Sequence, residues 1–264
     1  MGVDYVVDYA CPVKEALSVP GLIDLVKRRD NANVILAHAR QEGDLGAPST
    51  ITLRRLRQTP DGETHEDVTA QDLLDESARL HEYEGHCTGC PANLLHQPFG
   101  CYGYLAYPIP SASEEWLMAR LPGDLDSTAG KILQAANSQG PFDGSHIRDM
   151  RRHQMFFDRR KPIARTWRRG LLRRWTYSSD HLLHMMIGLP QLHPTHCGVL
   201  ALFLGVVPHN SPPDLVANRV AWREALAKAR VGPGEGPPEV RPWINFLNAL
   251  ALAAGLDVPV LIDG

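Results

Sequence analysis

Residues 85–109 read GHCTGCPANLLHQPFGCYGYLAYPI, and three of the chain's five cysteines fall between Cys87 and Cys101. The stretch changes character in its middle. Beyond Cys101, aromatic residues alternate in CYGYLAYPI, which predicts a strand. Ahead of it, QDLLDESARLHEY has the spacing of an amphipathic helix. Thr69 precedes that helix, and Asp72 stands at the capping-box position. Helix, cysteine loop and strand in this order predict an α+β protein.

Upstream of that helix, TITLRRLRQ and ETHEDV flank Pro60-Asp61-Gly62 and predict a β-hairpin, because Asp-Gly supplies the positive-φ positions of a tight turn. VDYVVDYA predicts a first strand ending at Cys11-Pro12, and GLIDLVKRR a helix. NVILAHA suits either a strand or the continuation of that helix. Leu121–Asp124 (LPGD) is the expected boundary. It divides the chain into 1–126, mixed α+β with the cysteine loop, and 127–264, mainly helical. The expected helices are 128–138, 145–155, 179–187, 195–206, 214–230 and 242–254. VPVLI near the end is a candidate strand returning to a sheet, which would join the two parts into one fold.

The cysteines follow the pattern Cys-x2-Cys-x5-His-x4-Cys through Cys87, Cys90, His96 and Cys101. These are four ligands of the softness and number that tetrahedral zinc accepts. The spacing is similar to that of zinc knuckles over fifteen residues. It has one residue more before the histidine, no aromatic after the first cysteine and no glycine before the histidine. A [4Fe–4S] cluster is the alternative, with Cys11 as a fourth thiolate, since such clusters take four cysteines. Cys11 and Cys90 are each followed by proline.

From Arg148 to Arg174 the chain carries eleven basic residues against two aspartates. That segment is therefore +9 within a chain of formal net charge −3, which leaves −12 on the remainder. Segregated positive charge attracts polyanions. Phe156, Phe157, Trp167 and Trp175 lie among the arginines, and aromatic faces beside guanidinium groups suit single-stranded nucleic acid. Arg151, Arg152, Arg159, Arg160, Arg168, Arg169, Arg173 and Arg174 form the predicted contact set. The expected partner is nucleic acid or an acidic protein.

His181, His184, His193 and His196 form two HxxH pairs, with Cys197 next to the last. Helical spacing would put each pair on one face. The chain holds no GxSxG, P-loop, HExxH, GxGxxG or zinc-deaminase signature, so no reaction is named. The opening residues lack the basic start and long apolar stretch of a secretory signal, and the longest apolar run, from Cys197, is shorter than a bilayer span. A cytoplasmic protein with no membrane contact is the expectation. The leading expectation is a zinc-stabilised binding protein with an arginine-rich surface. The alternatives are an iron–sulfur enzyme or redox protein, and a protein-interaction subunit of a larger assembly.

Overall fold

The computed structural model describes residues 2–59, 62–139, 141–169, 173–232 and 234–263. In chain order the elements begin with β1 (Gly2–Val7), α1 (Pro12–Leu17), α2 (Val19–Gln41), β2 (Thr52–Thr59), β3 (Gly62–Thr69) and α3 (Ala70–Glu76). Next come β4 (Tyr102–Ala106), α4 (Ser111–Ala119), α5 (Thr128–Gln139), α6 (Ser145–Met150), β5 (Ala164–Arg169) and β6 (Arg173–Ser178). The chain closes with α7 (Ser179–Ile187), β7 (Gln191–Leu192), α8 (Pro194–Phe203), α9 (Pro213–Ala217), α10 (Arg219–Lys228), α11 (Arg241–Leu256) and β8 (Val260–Asp263). The class is α+β. Among the described residues no helix is long and apolar enough to cross a membrane.

The chain forms two compact units along a different line from the 126/127 break. The larger comprises residues 1–9, 91–96 and 100–264; the smaller comprises 10–90 and 97–99. The reason is strand pairing. β1 pairs antiparallel with both β4 and β8, in the order β4-β1-β8-β7, so the first and last strands share one sheet.

In the smaller unit, α2 buries Leu22, Ile23, Val26, Ala32 and Leu36, so NVILAHA continues the helix. The β2–β3 hairpin forms, but Thr59 stands opposite Gly62, so Gly62 is the first residue of β3 and not a turn position as the Asp-Gly reading had it; Pro60 and Asp61 lie outside the described residues. The capping box at α3 forms in both directions. The Asp72 amide donates to the Thr69 hydroxyl at 3.0 Å, and the Thr69 amide donates to the Asp72 carboxylate at 2.8 Å. These bonds hold the Asp72 carboxyl below the usual range. α3 ends at Glu76, and a 3₁₀ turn over Ala78–Glu82 carries the chain on.

The core of the larger unit is α11, which lies against β1, β4, α8 and α10 and buries most of its length. Tyr5 of β1 is buried and meets Phe246 of α11 edge-to-face at 4.9 Å. Its strand neighbour must be Gly103, because a Cβ there would stand 2.2 Å from the Tyr5 ring. The expected helix at 145–155 stops at Met150, and that at 214–230 breaks at Asn218, whose side chain accepts the Ala221 amide and caps α10. The second part is mainly helical, as expected, and residues 164–178 interrupt the helices. There β5 and β6 form a hairpin, docked because the Trp167 indole donates to the Pro122 carbonyl at 2.9 Å. Arg165 donates to the carbonyls of Met118, Ala119 and Leu121, the last at 2.7 Å.

Below the hairpin lies a buried ion cluster. Arg151, with a side chain 2% exposed, grips the Glu114 carboxylate with two bonds of 2.9 and 2.7 Å. It also donates twice to one Asp180 oxygen, at 2.9 and 2.8 Å. The guanidinium lies over Phe157, 4.1 Å from the ring centre. Ser179 donates to Glu114 and accepts the Ile163 amide. Burial by itself would lower the Arg151 pKa; the bonds and charges of Glu114 and Asp180 outweigh it and raise the value. Removing the cation would strand two buried carboxylates. Arg151→Met is expected to destabilise the protein by about 3–5 kcal/mol in urea titration. A loss below about 1 kcal/mol would mean that the cluster behaves as an exposed pair.

Candidate functional site

The smaller unit holds Cys11, Cys87 and Cys90. Cys87 ends a 3₁₀ turn (Glu84–Cys87), and the next turn depends on Gly89, whose φ of 77° favours glycine. This brings the Cys90 amide to the Cys87 carbonyl at 3.2 Å. The Phe99 amide donates to the Cys87 sulfur at 3.1 Å. Arg29 covers Phe99, 5.1 Å from its ring centre, and pairs with Glu84 at 3.2 Å. Burial pushes the Cys87 thiol up, the Phe99 amide opposes this, and the charges of Cys90, Cys11 and Glu84 add to the rise. Both neighbouring thiols thus lie within electrostatic reach of Cys87. Cys11 is the residue before α1, with an extended backbone and no side-chain cap bond.

His96 and Cys101 belong to the larger unit. His96 is exposed with a left-handed φ of 52°. Cys101 precedes β4, and its carbonyl accepts the Val7 amide at 3.0 Å. Both predicted ligand sets are therefore divided between the units: the zinc set has Cys87 and Cys90 in one and His96 and Cys101 in the other, and the iron–sulfur set has Cys11, Cys87 and Cys90 in one and Cys101 in the other. Among the described residues, no three or more His, Cys, Asp or Glu side chains are gathered as a ready metal site.

The arginine set separates into distinct environments. Arg151 is corrected outright: it is buried, and its charge is spent on Glu114 and Asp180. Arg152 is exposed beside Asp149 at 3.3 Å, and Arg159 is half-buried and paired with Glu115 at 2.8 Å. Arg160 is exposed. Arg168 and Arg174 stand opposite each other across the hairpin, both exposed, and Arg169 and Arg173 form the next register pair. Neither Arg168 nor Arg174 meets a carboxylate among the described residues. The outer face of the hairpin also carries Thr166 and Thr176, whose hydroxyls are 3.0 Å apart. The inner face carries an aromatic ladder: Trp167 and Trp175 at 5.0 Å, then Trp175 stacked on Tyr177 at 5.6 Å. Thr166 and Thr176 are hairpin residues that the charge count passed over. The signal was present as the mirrored run RTWRR and RRWTY on either side of residues 170–172.

The histidines are engaged individually. His184 accepts the Gly144 amide at 3.2 Å and lies 3.8 Å from the Asp143 carboxylate. His181 is 2.6 Å from the Ser178 hydroxyl, a local contact across the first turn of α7. His193 caps α8 by accepting the Thr195 amide. Burial lowers the pKa of His181, His184 and His196. Cys197 is buried, donates to the Leu192 carbonyl, and has its thiol pushed up to about 12 by burial. Since the thiolate is the nucleophile, Cys197 beside His196 is no activated pair. No family model, curated protein or solved structure matches the chain.

Proposed function

We propose that the chain is a binding protein whose β5–β6 hairpin engages a polyanion, with nucleic acid the class it suits best. One observation carries this reading. Arg168 and Arg174 are exposed register partners that meet no carboxylate among the described residues, and Arg169 and Arg173 form the next register pair. Like charges directly opposite each other destabilise a hairpin. An array of phosphates would turn that cost into attraction, and a two-stranded ribbon fits a nucleic-acid groove. Arg160 is also exposed.

Binding of short single- and double-stranded oligonucleotides, followed by fluorescence anisotropy, is expected to weaken steeply as salt rises. The double substitution Arg168→Ala and Arg174→Ala is expected to reduce the slope of log affinity against log salt by about 2. Negligible binding at low salt would reject the reading and leave an acidic protein as the partner.

A second reading has a separate observation behind it. The Phe99 amide donates to the Cys87 sulfur, a bond that a metal-bound thiolate would keep, although burial outweighs it and raises the Cys87 thiol in the free protein. Cys87, Cys90 and Cys11 would contribute thiolates to a zinc ion, which would supply a structural cross-link in the smaller unit. Protein purified without oxygen is expected to hold stoichiometric zinc and be colourless, with zinc lost in Cys87→Ser. A brown sample that bleaches on reduction would replace zinc with an iron–sulfur cluster. Metal-free protein would reject both.

A further inference from the structure

Helices α8, α9, α10 and α11 of the larger unit enclose a half-open cavity of about 480 Å³. That is within the size range of small-molecule sites, roughly 300–1,000 Å³. Its apolar lining includes Val199 of α8, Leu226 of α10 and Ala254 of α11. Trp222, Arg219 and Arg223 come from the same face of α10 as Leu226, the spacing of three and four that helical periodicity requires.

The polar groups in this cavity are mostly donors. Trp222 sits close to α8 because residue 198 is glycine; a Cβ there would stand 3.0 Å from the indole nitrogen. The Trp222 N–H meets no acceptor among the described residues. Arg219 lies 2.7 Å from one Asp257 oxygen, and Arg223 lies 3.3 Å from the same atom. Arg223 also donates to the Gly255 carbonyl, which fixes its position. Two guanidinium groups thus share one carboxylate, and the mouth retains a net positive charge above an apolar floor.

We propose that this cavity binds a small amphipathic carboxylate. The ligand's carboxylate would join Arg219 and Arg223, and its apolar body would cover Val199, Leu226 and Ala254. A neutral apolar ligand would leave the surplus guanidinium charge uncompensated. An unbranched dianion would bring a second charge onto the apolar floor, at a desolvation cost. This inference is independent of the hairpin and of the cysteines.

The test titrates octanoate and octan-1-ol into the full ¹⁵N-labelled chain and follows the Trp222 indole resonance, assigned with Trp222→Phe. Octanoate is expected to shift that resonance saturably, and octan-1-ol to bind about tenfold more weakly, the scale of a lost charge-assisted hydrogen bond. Val199→Phe, which fills the cavity, is expected to remove both responses. Arg219→Glu is expected to remove the preference for the acid. Arg219 has a side chain 76% exposed, so that variant reads out binding even if the filled cavity fails to fold. No shift with millimolar octanoate, equal affinity for acid and alcohol, or indifference to Arg219→Glu would overturn the proposal.

Discussion

The guanidinium of Arg151, buried between Glu114 and Asp180, is the constraint on which the surface of the larger unit depends. It joins α4, the end of α6 and the start of α7 through side chains that are almost wholly shielded from water. Ser179 extends the connection to Ile163, the residue before β5. Arg165 and Trp167 then attach the hairpin to the carbonyls that follow α4. A buried ion pair is weak evidence of net stabilisation, because desolvation offsets its attraction. Its geometry is nonetheless demanding, and here four bonds to two carboxylates orient the base of the β5–β6 ribbon.

That arrangement sorts one run of basic residues into different physical roles. Arg151 satisfies core carboxylates, Arg165 satisfies carbonyls at a helix end, and Arg152 and Arg159 pair at the surface. Surface pairs of the latter kind contribute little, typically below about 1 kcal/mol. Arg168 and Arg174 remain exposed and mutually repulsive, with an outer face that also presents Thr166 and Thr176. The proximal half of the hairpin is thus held by hydrogen bonds, and the distal half concentrates charge. The proposed anion binding rests on this hydrogen-bonded base and on Arg168 and Arg174, which meet no carboxylate among the described residues.

The elements legible in the sequence are those specified by short-range signals. The α3 capping box, the β2–β3 hairpin, β4 after the cysteine loop, and α7 at 179–187 follow from caps, turn residues and periodicity. Three features depend on long-range pairing and left no comparable trace. The return of β8 to β1 was visible only as an apolar pentapeptide, and it assigns residues 1–9 to the larger unit. Arg151 is indistinguishable from Arg152 by composition, since burial beside Glu114 and Asp180 depends on residues 37 positions before it and 29 positions after it. The β5–β6 strands were obscured by their charge, which overrides the polar–apolar alternation that normally marks a strand. The cysteine spacing was fully legible, but spacing carries no information on the division of Cys11, Cys87 and Cys90 from His96 and Cys101.

In the proposed function, the Arg168–Arg174 pair costs the free protein stability that a bound polyanion restores. Thermal unfolding of the full chain and of Arg168→Thr, with and without a saturating oligonucleotide at low salt, measures it most directly. Arg168→Thr is expected to melt higher than the parent when free and to gain less from the oligonucleotide. Threonine at 168 would also extend the Thr166–Thr176 face with a strand-favouring residue, so Arg168→Lys, which keeps the charge, should retain both the low melting point and the gain. A parent chain that melts higher than Arg168→Thr when free, or an oligonucleotide that stabilises both to the same extent, would contradict it.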